Sequence, residues 1–130
     1  MKPERLLVLF TLLVAGFAPA VSAADIGEPA PPFSVQGREG ARYTNETLKG
    51  TVVVLESFGS DCPYCSNHYL SGAMPELQER YQERGVVWLV VQSTHRDHKS
   101  YRTPDEARED WERWGLKGSD YIDDHRGTLA

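Results

Sequence analysis

The chain has little cysteine: Cys62 and Cys65 are the only two in 130 residues. That scarcity excludes a disulfide-stapled scaffold, and it denies a structural zinc site the second Cys pair such sites commonly use. Runs of Lys or Arg are missing too, and 14 basic against 19 acidic residues leave a formal charge of −5. Nucleic acid and anionic membrane surfaces are therefore not expected as partners. No internal repeat or low-complexity tract occurs, and no proline follows Pro104.

Long apolar runs are also absent, with one exception at the start. "MKPERLLVLFTLLVAGFAPAVSA" carries Lys2 and Arg5, an apolar stretch from Leu6 to Phe17, then small residues including Val21 and Ala23. This is the layout of a signal peptide over residues 1–23, predicted to be cleaved after Ala23. The run is shorter than the roughly 17–25 residues a membrane span needs, so no stable membrane anchor is expected. Residues 24–130 are long enough for one small domain, predicted to be periplasmic or secreted.

Within that domain, "GREG" between apolar patches at Phe33 and Tyr43 predicts a hairpin turn. "NETLKG" predicts a helical turn capped by Asn45 and stopped by Gly50. "TVVVLESF" is a continuous apolar run, which predicts a strand buried on both faces at the centre of a partly parallel sheet. Pro63 to Arg84 has a helical pattern with Met74, Leu77 and Tyr81 as its apolar stripe; Pro75 must kink it or start a second piece. "GVVWLVVQS" is the next buried strand, completing a βαβ unit. "THRDHKSYR" predicts an exposed loop, and Thr103, Pro104 and Glu106 then spell a capped helix start. Ala107, Trp111 and Trp114 form that helix's apolar stripe, and "SDYIDDHRGTLA" predicts a short strand and a turn at Gly127.

The two cysteines lie between a strand and a helix, in "CPYC". Cys62 falls at the helix N-terminus, where free backbone N–H groups and the helix dipole favour an anion. Such a position lowers a thiol pKa and supplies thiolate, the species that attacks disulfides. Cys65 is three residues on, on the same face and in reach for closing a bridge. A staple across two residues would restrict the unfolded chain little, so the spacing favours a redox couple. Glu56 interrupts the apolar strand six residues before Cys62. An ionised, unpaired carboxylate there would cost several kcal/mol, which favours its protonated form and a proton exchange with the buried thiol of Cys65. On the same ground, Glu56→Gln is expected to leave the fold as stable or more so.

These residues resemble the thioredoxin fold, and more narrowly the exported thioredoxin-like redoxins. "GEPAPPFSVQGREGARYTNETLKGTVVVLESF" is similar to their N-terminal hairpin and first core strand, "CPYC" to their active site, and "MPELQERYQERGVVWLVVQS" to their kinked helix and next strand. The resemblance implies an α/β thioredoxin-like fold and a thiol–disulfide oxidoreductase. Its partners would be protein thiols and disulfides plus a redox partner protein, and it needs no cofactor and no metal. Cys62 would be the attacking thiol, Cys65 the resolving one, and Glu56 the buried acid of the family's site. Asp61 stands where thioredoxins carry Trp, and its charge is expected to oppose thiolate at Cys62.

Two other readings stay open. One is a copper carrier using Cys62, Cys65 and His68, with His95 and His98 a further ligand-like pair. The other is a peroxiredoxin-like antioxidant enzyme, whose Pro and Thr motif positions are here Leu55 and Gly59. The resemblance also implies a C-terminal hairpin, opened by a cis-proline, and a last helix, neither of which is matched before Ala130. The expectation is therefore a fragment, or an early stop, that folds poorly alone.

Overall fold

The computed structural model describes residues 24–129, and the predicted signal segment lies outside them. The described residues fall into two units, 24–31 and 32–129. Of the first, residues 24–31 hold one turn, with Glu28 N donating to Asp25 O at 3.2 Å.

The second unit opens with the predicted hairpin. Strands β1 (Ser34–Gln36) and β2 (Arg42–Thr44) pair antiparallel, with Val35 opposite Tyr43. Gly40 sits at φ 90°, a conformation that admits glycine at no steric cost, and its N–H closes the turn onto Gly37 O at 3.0 Å. The next turn forms without Asn45 as its cap. Thr44 and Thr47 exchange backbone-to-hydroxyl bonds at 2.9 and 3.1 Å, while Asn45 Oδ1 accepts from Phe33 N at 2.8 Å and so tethers the hairpin's lead-in.

Strands β3 (Val53–Ser57), β4 (Val87–Gln92) and β5 (Asp120–Asp123) make a parallel sheet in the order β3-β4-β5. Helices α1 (Pro63–Leu70) and α2 (Ala73–Gln82) connect β3 to β4, and α3 (Pro104–Trp114) connects β4 to β5. Their side chains pack on one face, where Phe58, Trp88, Val90 and Tyr121 meet Tyr69, Ala107 and Leu116. On the other face Leu89, Val91 and Ile122 meet Val35, with Phe33 and Tyr43 against them. Burying each such aliphatic side chain stabilises the fold by about 1.5–3 kcal/mol.

The central strand is β4, not β3. Every residue of β4 after Val87 is buried, whereas Leu55 of β3 is 49% exposed and Val52 just before it is 68% exposed. A continuous apolar run shows that a strand has apolar neighbours, but not which strand has two of them. Among the described strands β3 has one.

The helical segment breaks where Gly72 takes φ 77°, and Pro75 lies in the first turn of α2, where its missing N–H has no partner to lose. The predicted stripe of α2 is only partly correct. Met74 packs on the core, but Leu77 and Tyr81 are more than a third exposed, and the fully buried residue is Gln78. At the head of α3 the capping box forms as expected, Thr103 N donating to Glu106 Oε2 at 2.8 Å and Glu106 N to Thr103 Oγ1 at 3.4 Å.

Candidate active site

Strand β3 delivers the chain to a tight loop, Gly59 to Asp61, whose turn is closed by Cys62 N donating to Gly59 O at 3.0 Å. Cys62 is the N-cap of α1, in extended conformation, with Pro63 as the first helical residue. Its sulfur accepts from Cys65 N at 3.4 Å, so an unpaired helix-start N–H points at the thiol that would carry the charge. Both cysteines are free thiols and half-buried by residue.

Their environments push them apart. The hydrogen bond from the Cys65 thiol, then that from the Cys65 backbone N–H, hold the Cys62 pKa below its ordinary value. Burial first, then the hydrogen bond given to Cys62, raise that of Cys65, and the negative charges of Cys62 and Glu56 add to the rise. The first thiol is thus biased toward thiolate and the second toward the protonated form.

Glu56 lies on the helix-covered face of β3 and is not alone. Oε2 accepts from Gln78 Nε2 and from Trp88 Nε1, both at 2.8 Å, and Oε1 accepts from the Tyr69 hydroxyl. Gln78 Nε2 also reaches the Tyr69 oxygen at 3.1 Å. The expected unpaired carboxylate is therefore absent. A carboxylate has about four acceptor positions, and three are taken here. Burial, then the hydrogen bond to Glu56, push the Tyr69 pKa far up, so its proton stays in place as a donor.

Arg102 approaches the same loop from the far side of the sequence. Its Nε donates to Ser60 Oγ at 2.6 Å, its Nη2 to Asp61 Oδ1 at 3.1 Å, and the Nε also faces Asp110 Oδ2 of α3 at 3.2 Å. The segment before α3 was expected to be an exposed loop. That holds for His95 to Lys99, but Ser100, Tyr101 and Arg102 are half-buried.

Residues 26–117 match the AhpC/TSA family. The chain belongs to that family. Among curated relatives it is 31% identical over 108 residues to "Thiol-disulfide oxidoreductase ResA" of Bacillus thuringiensis, covering 75% of this chain and 61% of that protein. The chain thus spans about three fifths of the length of the first curated relatives it matches. Among solved structures it is similar to a putative thiol:disulfide interchange protein DsbE from Chlorobium tepidum, with a TM-score of 0.59 at 21% identity over 79% of this chain and 65% of that one. A secreted Mycobacterium tuberculosis disulfide oxidoreductase matches with a TM-score of 0.54 at 17% identity, over 75% and 63%. These structural likenesses carry the thioredoxin-like fold.

In this AhpC/TSA chain Cys62 and Cys65 stand at the start of α1 and Glu56 on β3, with the Glu56 charge bearing on Cys65. His68 is exposed on α1, and His95 and His98 are exposed in the loop after β4. Among the described residues no group of three or more His, Cys, Asp and Glu could hold a metal ion, so the copper reading has no geometric support. Sequence reasoning missed Tyr69, Gln78, Trp88 and Arg102. A signal existed for two of them: Tyr69 is one helical turn beyond Cys65, and Gln78 is a polar residue on the buried side of α2. Arg102, more than 40 residues from its loop partners, had none.

Proposed function

We propose that this chain is an exported thiol–disulfide oxidoreductase that exchanges disulfides with protein substrates through Cys62 and Cys65. The observation that carries it is the thiol pair at the start of α1, where Cys62 is the N-cap and Cys65 N donates to Cys62 Sγ at 3.4 Å. The Cys62 thiolate attacks one sulfur of a client disulfide; the client S–S bond breaks, a mixed disulfide forms, and the departing client thiolate takes a proton from solvent. Cys65 then loses its proton and attacks the Cys62 sulfur. The Cys62–Cys65 bond forms, the second client thiol leaves, and two electrons have passed to the client. The reverse sequence oxidises a client dithiol, and a redox partner protein resets the couple.

Glu56 takes the Cys65 proton in the second step. Its charge already bears on that thiol, and the Tyr69, Gln78 and Trp88 donors fix its position while leaving one acceptor position on Oε1. Export rests on the leader at residues 1–23; no helix among the described residues is long and apolar enough to cross a membrane.

The test is reduction of a protein disulfide by the full chain, with Cys62→Ser and Cys65→Ser beside it. Loss of exchange in the first variant and trapped mixed disulfides through Cys62 in the second are expected. Undiminished exchange in Cys62→Ser would sink the proposal.

A further inference from the structure

Asp61 places a carboxylate in the residue directly before the attacking cysteine, 53% exposed. Left alone, it would work against the anion that exchange requires. The structure supplies a counter-charge from outside the loop. Arg102 is anchored from behind by Asp110, whose side chain is only 5% exposed and would keep only the longer 3.7 Å contact to Arg113 without it. Its backbone is held as well: Gln92, buried at the end of β4, donates Nε2 to Arg102 O at 3.1 Å. The guanidinium, 28% exposed, thus has a fixed position, donates to Ser60 Oγ and Asp61 Oδ1, and forms an ion pair with Asp110 Oδ2. Planar, forked and permanently charged, Arg serves several oxygens at once in a way Lys does not.

We infer that Arg102 is a positioning residue for Cys62: it clamps the Ser60–Asp61 loop to α3 and offsets the carboxylate of the residue that precedes the attacking cysteine. This deepens the reading of Cys62 as the attacking thiol and rests on it. The charged groups around the loop are Asp61 itself, Arg102 from the segment before α3, and Asp110 with Arg113 on α3, Arg113 Nη1 lying 3.7 Å from Asp110 Oδ1. The charge of Glu56 bears on Cys65. Because the clamp joins α3 to the loop, packing changes in α3 reach the active-site sulfur through one side chain. Asp61 at this position is tolerable because Arg102 is there.

The test reads the thiol itself rather than turnover. Iodoacetamide alkylation of Cys62 in the reduced full chain is followed by peptide mass spectrometry between about pH 5 and 9. One exposed unit charge, screened by water near the thiolate, changes its population about two- to threefold. Arg102→Gln is expected to slow Cys62 alkylation below neutral pH by that factor. Asp61→Asn, which removes the carboxylate next to Cys62 and leaves Arg102 in place, is expected to speed it by a similar factor, and the double variant returns close to wild type. Arg102→Gln takes the closer of two cations from buried Asp110 and can unfold the protein; Asp61→Asn, on the surface, then decides by itself. An unchanged alkylation profile in Asp61→Asn, or a folded Arg102→Gln variant that alkylates at Cys62 as fast as wild type, overturns the inference. Failure of wild type to exchange protein disulfides would overturn the proposed function instead, and the alkylation profiles would still decide on the clamp.

Discussion

Trp88 Nε1 donates to Glu56 Oε2 at 2.8 Å across two neighbouring strands. The register explains it: Trp88 of β4 stands opposite Val54, so Glu56, two residues on, is its diagonal neighbour on the same face. Gln78 and Tyr69 complete the shell from α2 and α1. A carboxylate inside an otherwise apolar face is tolerable because helices and sheet each contribute a donor to it.

That shell reverses the sequence-based expectation for stability. Glu56→Gln replaces charge-assisted acceptors by one neutral oxygen and brings an N–H₂ group to face donors. It is expected to destabilise the fold by about 1–3 kcal/mol, measured by denaturant unfolding of the reduced protein. Equal or greater stability would mean the buried charge costs more than its partners return.

The same variant tests the proton route. Glu56→Gln is expected to slow release of the mixed disulfide by about tenfold or more and to leave its formation nearly unchanged. Stopped-flow measurement of the two steps separates them. Equal slowing of both would assign Glu56 to the fold and not to the reaction.

Gln78→Leu keeps the volume of the α2 contact but removes one donor to Glu56 and one acceptor, Gln78 Oε1, that takes Lys117 N at 2.7 Å. A loss of about 1–3 kcal/mol is expected, with slower mixed-disulfide release as Glu56 loses its fixed position. A fully stable, fully active variant would show that the shell is dispensable.

The thiols give opposite pH signatures in the reduced protein. The folded pKa of Cys62 is lowered, so its contribution to stability is present above the unfolded thiol value and lost as pH falls through the folded one. That of Cys65 is raised, so its contribution is present below the unfolded value and lost as pH rises through the folded one. Near neutral pH Cys62 is therefore expected to alkylate first. Faster reaction at Cys65 would exchange their roles.

Tyr43 sets a second pH dependence, far from the cysteines. Burial, then its hydrogen bond to Asp120 Oδ2 at 3.0 Å, raise its pKa from 10.0 to about 12. The stabilisation it brings is fully present below pH 10 and lost as pH rises through about 12. Tyr43→Phe is expected to lower stability at pH near 8 by about 1–2 kcal/mol and to flatten part of the alkaline decline. An unchanged slope in denaturant unfolding above pH 10 would remove Tyr43 from that decline.

The βαβ order, the N-terminal hairpin, the capping box of α3 and the thiol pair at a helix start were legible in the sequence, because each is set by neighbours within a few residues. Glycine at the turns, Pro63 after Cys62 and Thr103 three residues before Glu106 act over that range. Which of two apolar strands lies in the middle was not legible, since β3 and β4 carry the same pattern and differ only in how many strands flank them. Glu56 was visible as an anomaly in a strand, but its meaning depended on partners 13, 22 and 32 residues away.

The sequence by itself determined the chemistry available: two thiols at a helix start, and a carboxyl group six residues upstream. Local backbone geometry and the helix dipole act within one turn, so spacing was enough to place them. Only the tertiary structure decided the charges those groups meet. It closed Glu56 inside three donors and brought Arg102 onto Asp61. Such encounters arise when β4 and α3 pack beside β3 and α1, and electrostatics depends on distance through space, which separation along the chain does not fix.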